Sequence, residues 1–446
     1  MKVLFVSLGC DKNLVDSENM LGILSEQGCG FTDDEEEADV IVVNSCCFIG
    51  DAKEESINTI LQMGQLRTDP EKKCRALIVT GCLAQRYADE IRKEIPEVDA
   101  CIGTTAYDRI ASVLSRVLKG EQVRELEDID RQVEPTGRRV ITTGGYYSYL
   151  KIAEGCNKSC TYCIIPSLRG RYRSVPMESL VKEAEYLAGK GVKELILVAQ
   201  ETTLYGVDLY GKKTLPELLK KLCKVEGLEW IRLMYCYPEE ITDELIEVIR
   251  DESRICKYID MPIQHASDKV LSRMGRRTNR AELTGLIRKL RDRIPDIAIR
   301  TTLITGFPGE DEEDMDILLD FVNETEFTRL GVFAYSAEEG TKAAEMEGQT
   351  DEEVKESRRD EVMELQQEIA YEHAESMKGR ELDVMIEGRL VDEDVYAART
   401  YMDAPGVDGM LFLSSERELM SGDIVRVRVT GANEYDLIGE LCDESA

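Results

Sequence analysis

Apolar, β-branched runs alternate with amphipathic stretches along the first third of the chain. KVLFVSL ends at Gly9-Cys10, and apolar positions then recur at helical spacing over 14–27, closed by Gly28. The pattern repeats as DVIVVNSC before a helix from Asp51, as ALIVTGC before a helix near Tyr87, and as DACIGT before 106–119. Continuous apolar strands between amphipathic helices predict a parallel α/β (Rossmann-like) sheet covered on both faces. A second series starts at Tyr147, with strands near 149–154, 193–199, 230–235, 258–262, 297–304 and 329–334, each followed by a helical stretch. Six βα units are fewer than a closed eight-unit barrel needs, so an open, partial (β/α)6 barrel is expected.

A long, charged amphipathic helix over 351–377 leads into five short strand-like runs: ELDVMIEGRL, YAARTYM, GMLFLSS, DIVRVRVTGA and DLIGELC. Such runs with Gly and Asp turns predict a small OB-like β-barrel. The expected division is therefore 1–135, 146–375 and 378–446. A hinge is expected at Pro135-Thr136-Gly137 and Gly144-Gly145.

Composition narrows the class. A chain of 446 residues with 43% apolar content can bury several cores. Fourteen cysteines in so long a chain do not read as a disulfide framework, which points to reduced thiols in a cytoplasmic protein. The run SLGC imitates a lipoprotein cleavage site, but the apolar stretch before it is too short, and no run approaches the roughly 20 residues of a membrane span. The net charge is −32, from 56 basic and 88 acidic residues, and it is spread along the whole chain. Such a surface disfavours direct nucleic-acid binding, which relies on Lys and Arg against phosphates, and favours a basic partner; a role in solubility alone is the bland alternative.

Two sets of cysteines carry candidate chemistry. Cys156, Cys160 and Cys163 form a Cys-x3-Cys-x2-Cys loop, EGCNKSCTYC, with no fourth cysteine in reach. Three thiolates on one loop can hold three irons of a [4Fe–4S] cluster and leave the fourth open to a chelating ligand. A zinc site borrowing a further ligand is the alternative, with only His265 and His373 as imidazoles. Cys10, Cys46 and Cys82 each follow a predicted strand of the first domain at intervals of 36 residues. The carboxyl edge of an open α/β sheet is where ligands bind, so these three thiols are expected to converge as a second open cluster site. Cys47 could compete with Cys46, and unrelated buried cysteines are the alternative. The other cysteines read as packing.

At the carboxyl ends of the barrel strands stand Gln200, Glu201, Tyr235, Gln264, His265, Arg300, the 306–310 turn and Tyr335. The stretch GVDLYGKKT imitates a phosphate loop, but Lys213 occupies the place of the hydroxyl that would hold magnesium.

The 156–163 loop, with Tyr162 before its last cysteine, resembles the cluster loop of radical S-adenosylmethionine (SAM) enzymes. The whole order, a three-cysteine domain, a radical SAM domain and a TRAM-type barrel, resembles the methylthiotransferase family. The stretches LGCDKNLVDSE, NSCCFI and GCLAQRY carry the first cluster's ligands in that likeness; Cys47, after Cys46, departs from the usual small residue. The resemblance implies two [4Fe–4S] clusters and SAM. Cys10, Cys46 and Cys82 would hold one cluster and Cys156, Cys160 and Cys163 the other. Gln200 matches the position that holds the SAM amino group in related enzymes; Gln264 and Arg300 are expected to contact SAM from their places at the strand ends.

One branch of the family thiomethylates isopentenyladenosine beside the tRNA anticodon. The other acts on the β-carbon of an aspartate in ribosomal protein S-twelve. YLKIAEGC, CIIPSLRGRYRS, AQETTLYG and IDMPIQHASD resemble the ribosomal-protein branch, and the acidic charge agrees with it. In this likeness a radical from cleaved SAM takes a hydrogen from the β-carbon, and the first cluster delivers the methylthio group. The partners implied are the ribosomal protein, free or on the small subunit, and an electron donor such as flavodoxin or ferredoxin. From another class, an iron–sulfur electron carrier or scaffold would keep both clusters without needing SAM.

Overall fold

The first four βα units form one parallel sheet in the computed structural model, which describes residues 1–133, 137–390 and 394–442. Its strands are β1 (Lys2–Ser7), β2 (Gly30–Thr32), β3 (Val40–Ser45), β4 (Ala76–Gly81), β5 (Ala100–Ile102) and β6 (Val123–Glu125), in the order β2-β1-β3-β4-β5-β6. β3 and β4 are buried at every position, because helices cover both faces. Ile41, Val43, Leu77 and Val79 pack with Ile60 and Leu83 on one face. Val40, Val42, Ala76 and Ile78 pack with Met20, Leu24 and Ile110 on the other. The three-residue strands β2 and β6 were not predicted; each adds too few positions to show a pattern.

The central domain contains the six predicted strands: β7 (Tyr147–Lys151), β10 (Glu194–Val198), β11 (Trp230–Leu233), β12 (Tyr258–Asp260), β13 (Ala298–Thr305) and β14 (Arg329–Ala334). The predicted 149–154 strand ends sooner, and a short antiparallel pair, β8 (Ala153–Glu154) with β9 (Arg173–Ser174), follows it. The barrel strands hydrogen-bond as two parallel triplets, β11-β10-β7 and β12-β13-β14. The seam between them is held by the Ile231–Ile255 bridge and by the Cys236 N–H donating to the Asp260 carbonyl at 2.9 Å. Outward side chains such as Leu195, Leu197, Ile231, Leu233, Ile299 and Leu303 build the main core against the helices.

The inward side chains meet the third domain. There β15 (Glu381–Arg389), β16 (Val395–Thr400), β17 (Leu411–Ser414), β18 (Ile424–Asn433) and β19 (Asp436–Leu441) close a barrel in the order β15-β16-β17-β19-β18. It packs under the amino-terminal ends of the partial barrel, where Tyr149, Ile196, Trp230 and Tyr258 join Val384, Ile386 and Leu411 in one cluster. The first domain closes the opposite end. Its helix Asp11–Glu26 lies across the carboxyl ends of the strands, with Val15 in contact with that cluster and Asp16 paired with Lys151.

The predicted hinge is pinned where it is described. Arg139 is buried between Glu18, at 2.5 Å, and Glu183, at 2.7 Å, although Gly144 and Gly145 do adopt left-handed φ. Pro135 and Thr136 lie outside the described residues, as does the chain from 443. Among the described residues, no helix is long and apolar enough to cross a membrane.

Candidate functional site

Cys10, Cys46 and Cys82 follow β1, β3 and β4, three neighbours in the sheet, so their loops stand side by side at one edge. Cys10 occupies the N-cap of the helix Asp11–Glu26 without capping it through its side chain, and Cys82 is the first residue of the helix Cys82–Glu94. Two glycines let the loops close. Gly9 has φ +86°, and a Cβ there would stand 2.7 Å from Cys46 Cβ. At Gly81, φ +91°, a Cβ would stand 2.4 Å from Asn44 Oδ1. Asn13 ties the loops together, its Nδ2 donating to the carbonyls of Leu8 at 3.0 Å and Ser45 at 3.1 Å.

The thiols lie close enough to influence one another. Burial pushes the Cys46 thiol up to about 11, and the neighbouring Cys82 and Cys10 add to the shift. Cys47 is fully buried in the apolar cluster that also holds Ile41, Ile60 and Cys82; burial pushes its thiol up to about 12, and Cys82 and Cys46 add to the shift.

The second set lies on the loop after β8. The Cys156 N–H donates to the Gly170 carbonyl at 3.1 Å, and the Thr161 N–H to that of Met274 at 2.9 Å. The Lys158 N–H donates to Cys156 Sγ at 3.4 Å, and the Tyr237 hydroxyl stands 3.9 Å from Cys160 Sγ. Burial pushes Cys156 up to about 11 and Cys163 up to about 12, with the sister thiols adding to both. Burial thus favours the neutral form of Cys46, Cys82, Cys156 and Cys163, whose protons iron would have to displace. Among the described residues no three His, Cys, Asp or Glu side chains are close enough to share one metal ion. The thiolates of a cubane bind separate irons, whereas the ligands of a zinc site share one ion.

A buried ionic bridge joins the two sets. Arg169 follows the second loop in sequence, and its Nη1 donates to Asp16 at 2.7 Å and to Glu154 at 3.2 Å. Its Nη2 donates to Asn13, and the guanidinium also acts on Cys82. Burial alone would raise the Glu154 carboxyl, but Lys151 and Arg169 hold it well below the usual carboxylate range. Glu154 therefore stays ionised and accepts from Gln200 Nε2 at 2.7 Å, which leaves Gln200 Oε1 buried without a partner. Glu201 is fully buried beside it. Its Oε1 accepts from Thr203, its Oε2 has no hydrogen-bond partner, and burial pushes its carboxyl up to about 7 against the pull of Lys158.

The other predicted positions divide. Tyr235 and Gln264, at the ends of β11 and β12, hold left-handed φ of 60° and 74°, strain that a non-glycine residue keeps only where the surroundings demand it. The peptide of Gln264 is clamped to β13 through Thr302 O and Ile304 N. Arg300 is largely committed: Nη1 donates to Asp260 at 2.8 Å and Nε to Asp408 of the third domain at 3.3 Å, leaving Nη2 without a bond among the described residues. His265 and the 306–310 turn are structural, since Nδ1 of His265 accepts from Ser267 N and the Glu310 carboxylate accepts the Gly306 and Phe307 N–H groups. Tyr335 is buried against Phe307, its hydroxyl unpartnered. Lys212 and Lys213 of the false phosphate loop pair with Glu217 and Glu240.

Sequence reasoning missed Lys12, Asp16, Glu154 and Arg169. A signal existed in the helix Asp11–Glu26, which buries Lys12, Asn13, Asp16, Ser17, Glu18 and Asn19: a segment this polar between two apolar elements has to find polar partners. The chemistry of these groups fits the cofactors the cysteines imply. Each three-thiol set would leave one iron of a cubane without a protein ligand, and the unpartnered Gln200 Oε1, with the Glu201 carboxylate near it, fits an ammonium-bearing ligand beside the second set.

Three family models match the chain: the uncharacterized protein family UPF0004 over residues 2–103, the radical SAM superfamily over 150–322, and the TRAM domain over 379–442. Among curated proteins, the ribosomal protein uS12 methylthiotransferase RimO of Lachnoclostridium phytofermentans is 63% identical, covering 98% of this chain and 99% of its own length. Its counterpart in Clostridioides difficile is 49% identical over the whole of both chains. Among solved structures, the radical SAM methyltransferase TsrM from Kitasatospora setae, with cobalamin and a [4Fe–4S] cluster bound, aligns with a TM-score of 0.55 at 15% identity, over 75% of this chain and 74% of that one. The cobalamin-dependent radical SAM enzyme OxsB aligns at 0.54 with 13% identity, over 81% and 56%. These two likenesses are of fold.

Proposed function

The chain belongs to the RimO family of ribosomal protein uS12 methylthiotransferases, and from that membership we propose how its own residues divide the work. The protein is a radical SAM methylthiotransferase that works with [4Fe–4S] clusters and SAM. In our reading Cys156, Cys160 and Cys163 hold the cluster that receives SAM, and Cys10, Cys46 and Cys82 hold the other. The domains divide at 1–135, 146–375 and 378–446. When bound, these groups supply radical chemistry that acid–base side chains cannot offer at an unactivated C–H bond.

The observation that carries the reading is the Asp16–Arg169–Glu154 bridge, which reaches Cys82 on one side and the strand leading into Cys156 on the other. It brings two open three-thiol sets to one mouth. Lys151 and Arg169 keep Glu154 ionised; Glu154 holds Gln200 Nε2; Gln200 Oε1, buried and unpartnered, is thereby left to accept the SAM amino group. Gln264 and the remaining nitrogen of Arg300 complete the SAM contacts. The helix Asp11–Glu26 covers the mouth and keeps water from it.

The acceptor is the β-carbon of an aspartate in ribosomal protein uS12, taken free or on the small subunit. A net charge of −32 suits a basic protein better than an RNA. Flavodoxin or ferredoxin supplies electrons, and the reaction takes place in the cytoplasm. The test is an anaerobic competition in which reconstituted enzyme, SAM, sulfide and a reductant meet a uS12 loop peptide and an isopentenylated tRNA together. Mass spectrometry should find the methylthio gain on the peptide. A gain on the tRNA alone refutes the assigned acceptor, and an absence of SAM cleavage would return the protein to the electron carriers.

A further inference from the structure

Lys12 stands two residues after Cys10, in the first turn of the helix that covers the mouth, and is only 6% exposed. Its ammonium sits 3.3 Å from the centroid of the Tyr235 ring. Among the described residues it has no carboxylate within ion-pair distance and donates no hydrogen bond, the Tyr235 ring being its one recorded partner. The side chain is thus buried up to an ammonium that no anion holds, and a cation–π contact supplies only part of what an ion pair would.

The nearby carboxylates are already engaged. Asp11 Oδ2 lies 3.2 Å from the Tyr235 hydroxyl. Asp260 takes the Tyr235 N–H at 2.9 Å and Arg300 Nη1 at 2.8 Å. The neighbouring cations differ from Lys12. Lys151 pairs with Asp16 and Glu154, Lys158 with Glu239 and Glu240, and Arg169 with Asp16 and Glu154. Tyr235 itself holds a left-handed backbone to present its ring there.

One other buried cation at this end lacks a carboxylate. Arg276 stacks 4.4 Å over Tyr237, whose hydroxyl faces Cys160, and its Nε and Nη1 have no partner. Resting on the function proposed above, the reaction brings two carboxylates to the mouth: that of SAM and that of the target aspartate. Arg276 stands on the side of the SAM-binding thiols and Lys12 on the side of Cys10. We infer that the Lys12 ammonium is the site for the side-chain carboxylate of the substrate aspartate, held over Tyr235, so that the β-carbon is presented between the two thiol sets. Lys12 is then the residue that requires an acid and rejects the amide.

The test uses anaerobically reconstituted holoenzyme and two fluorescent uS12 loop peptides, one with the target aspartate and one with asparagine in its place. Anisotropy titrations should show the wild type binding the aspartate peptide about 10- to 100-fold more tightly, the range expected for a charge-assisted bond. Lys12→Met should bring the two affinities to within about twofold, Lys12→Arg should keep most of the difference, and SAM affinity should not change in either. Discrimination that survives Lys12→Met overturns the inference. So does a loss of SAM affinity with peptide binding intact, which would give the ammonium to the SAM carboxylate. Equal affinities in the wild type overturn it without any variant, and so guard against a Lys12→Met protein that fails to fold. Wild-type enzyme that modifies the peptide yet does not discriminate sinks the Lys12 site alone; failure to modify the peptide at all sinks the functional reading instead.

Discussion

The two ends of the partial barrel are both filled with buried charge, and they use it differently. At the base, Glu194 accepts from Arg232 at 2.7 Å and from Arg399 at 2.6 Å, and all three are essentially inaccessible. Arg329 with Asp403 and Arg300 with Asp408 complete the ties to the third domain, whose apolar residues surround them. Among the described residues the only fully buried polar atom of this group without a partner is Arg232 Nη2, and that guanidinium lies 4.7 Å from the Tyr258 ring; Arg300 Nη2 is unbonded but not fully buried. At the mouth Arg169 is as deeply held and Glu154 and Lys151 somewhat less so, yet Gln200 Oε1, two nitrogens of Arg276 and the Lys12 ammonium are left over, and Glu201 Oε2 has only Lys158, 3.7 Å away. A native structure rarely tolerates so many orphaned groups in one place unless something else satisfies them. The closed network joins domains, and the open one awaits ligands.

The sharpest way to separate the two ends is to remove the thiols. Replacing Cys156, Cys160 and Cys163 together by Ala should abolish SAM cleavage, measured as 5′-deoxyadenosine, and lower the iron content by about half. Replacing Cys10, Cys46 and Cys82 should cost the same share of iron and all methylthio transfer, while SAM cleavage continues. Substitution of Glu194, Arg232 or Arg399 at the base should do neither.

Next in size, Arg169→Met and Arg399→Met each strand buried carboxylates and should each cost about 3–5 kcal/mol in denaturant unfolding. The comparison breaks if they do not then differ in iron: Arg169→Met should lose cluster from the first set, and Arg399→Met should load normally. A smaller effect is expected for Gln200→Leu, which should weaken SAM binding about tenfold while moving the unfolding free energy by about 1 kcal/mol or less. The smallest belongs to the outside of the third domain, where the exposed Arg426–Asp383 pair should contribute ~0–1 kcal/mol in a double-mutant cycle and leave activity untouched.

Much of the architecture was legible because it is written in local periodicity. Six strands, a five-stranded closed barrel and the long helix, Glu352–Ser376, stand within a few residues of their predicted places. β2 and β6 were missed because three residues carry no period, and the tie of Arg139 beside the expected hinge was missed because its acids lie on distant helices. The placement of the cysteines was legible for two different reasons. Cys156, Cys160 and Cys163 share one loop, whereas bringing Cys10, Cys46 and Cys82 to one edge needed the added rule that parallel strands align their carboxyl ends.

The sequence by itself therefore determined the elements, their order and the kind of ligand each cysteine set invites, since these depend on residues within a few turns or strands of one another. Only the tertiary structure decided which charges are spent and which are free. Asp16 meets Arg169 across 153 positions, and Glu194 meets Arg399 across 205. Whether a buried Lys or Arg holds a domain or waits for a substrate depends on the acid that folding brings to it, and no local pattern encodes that distance.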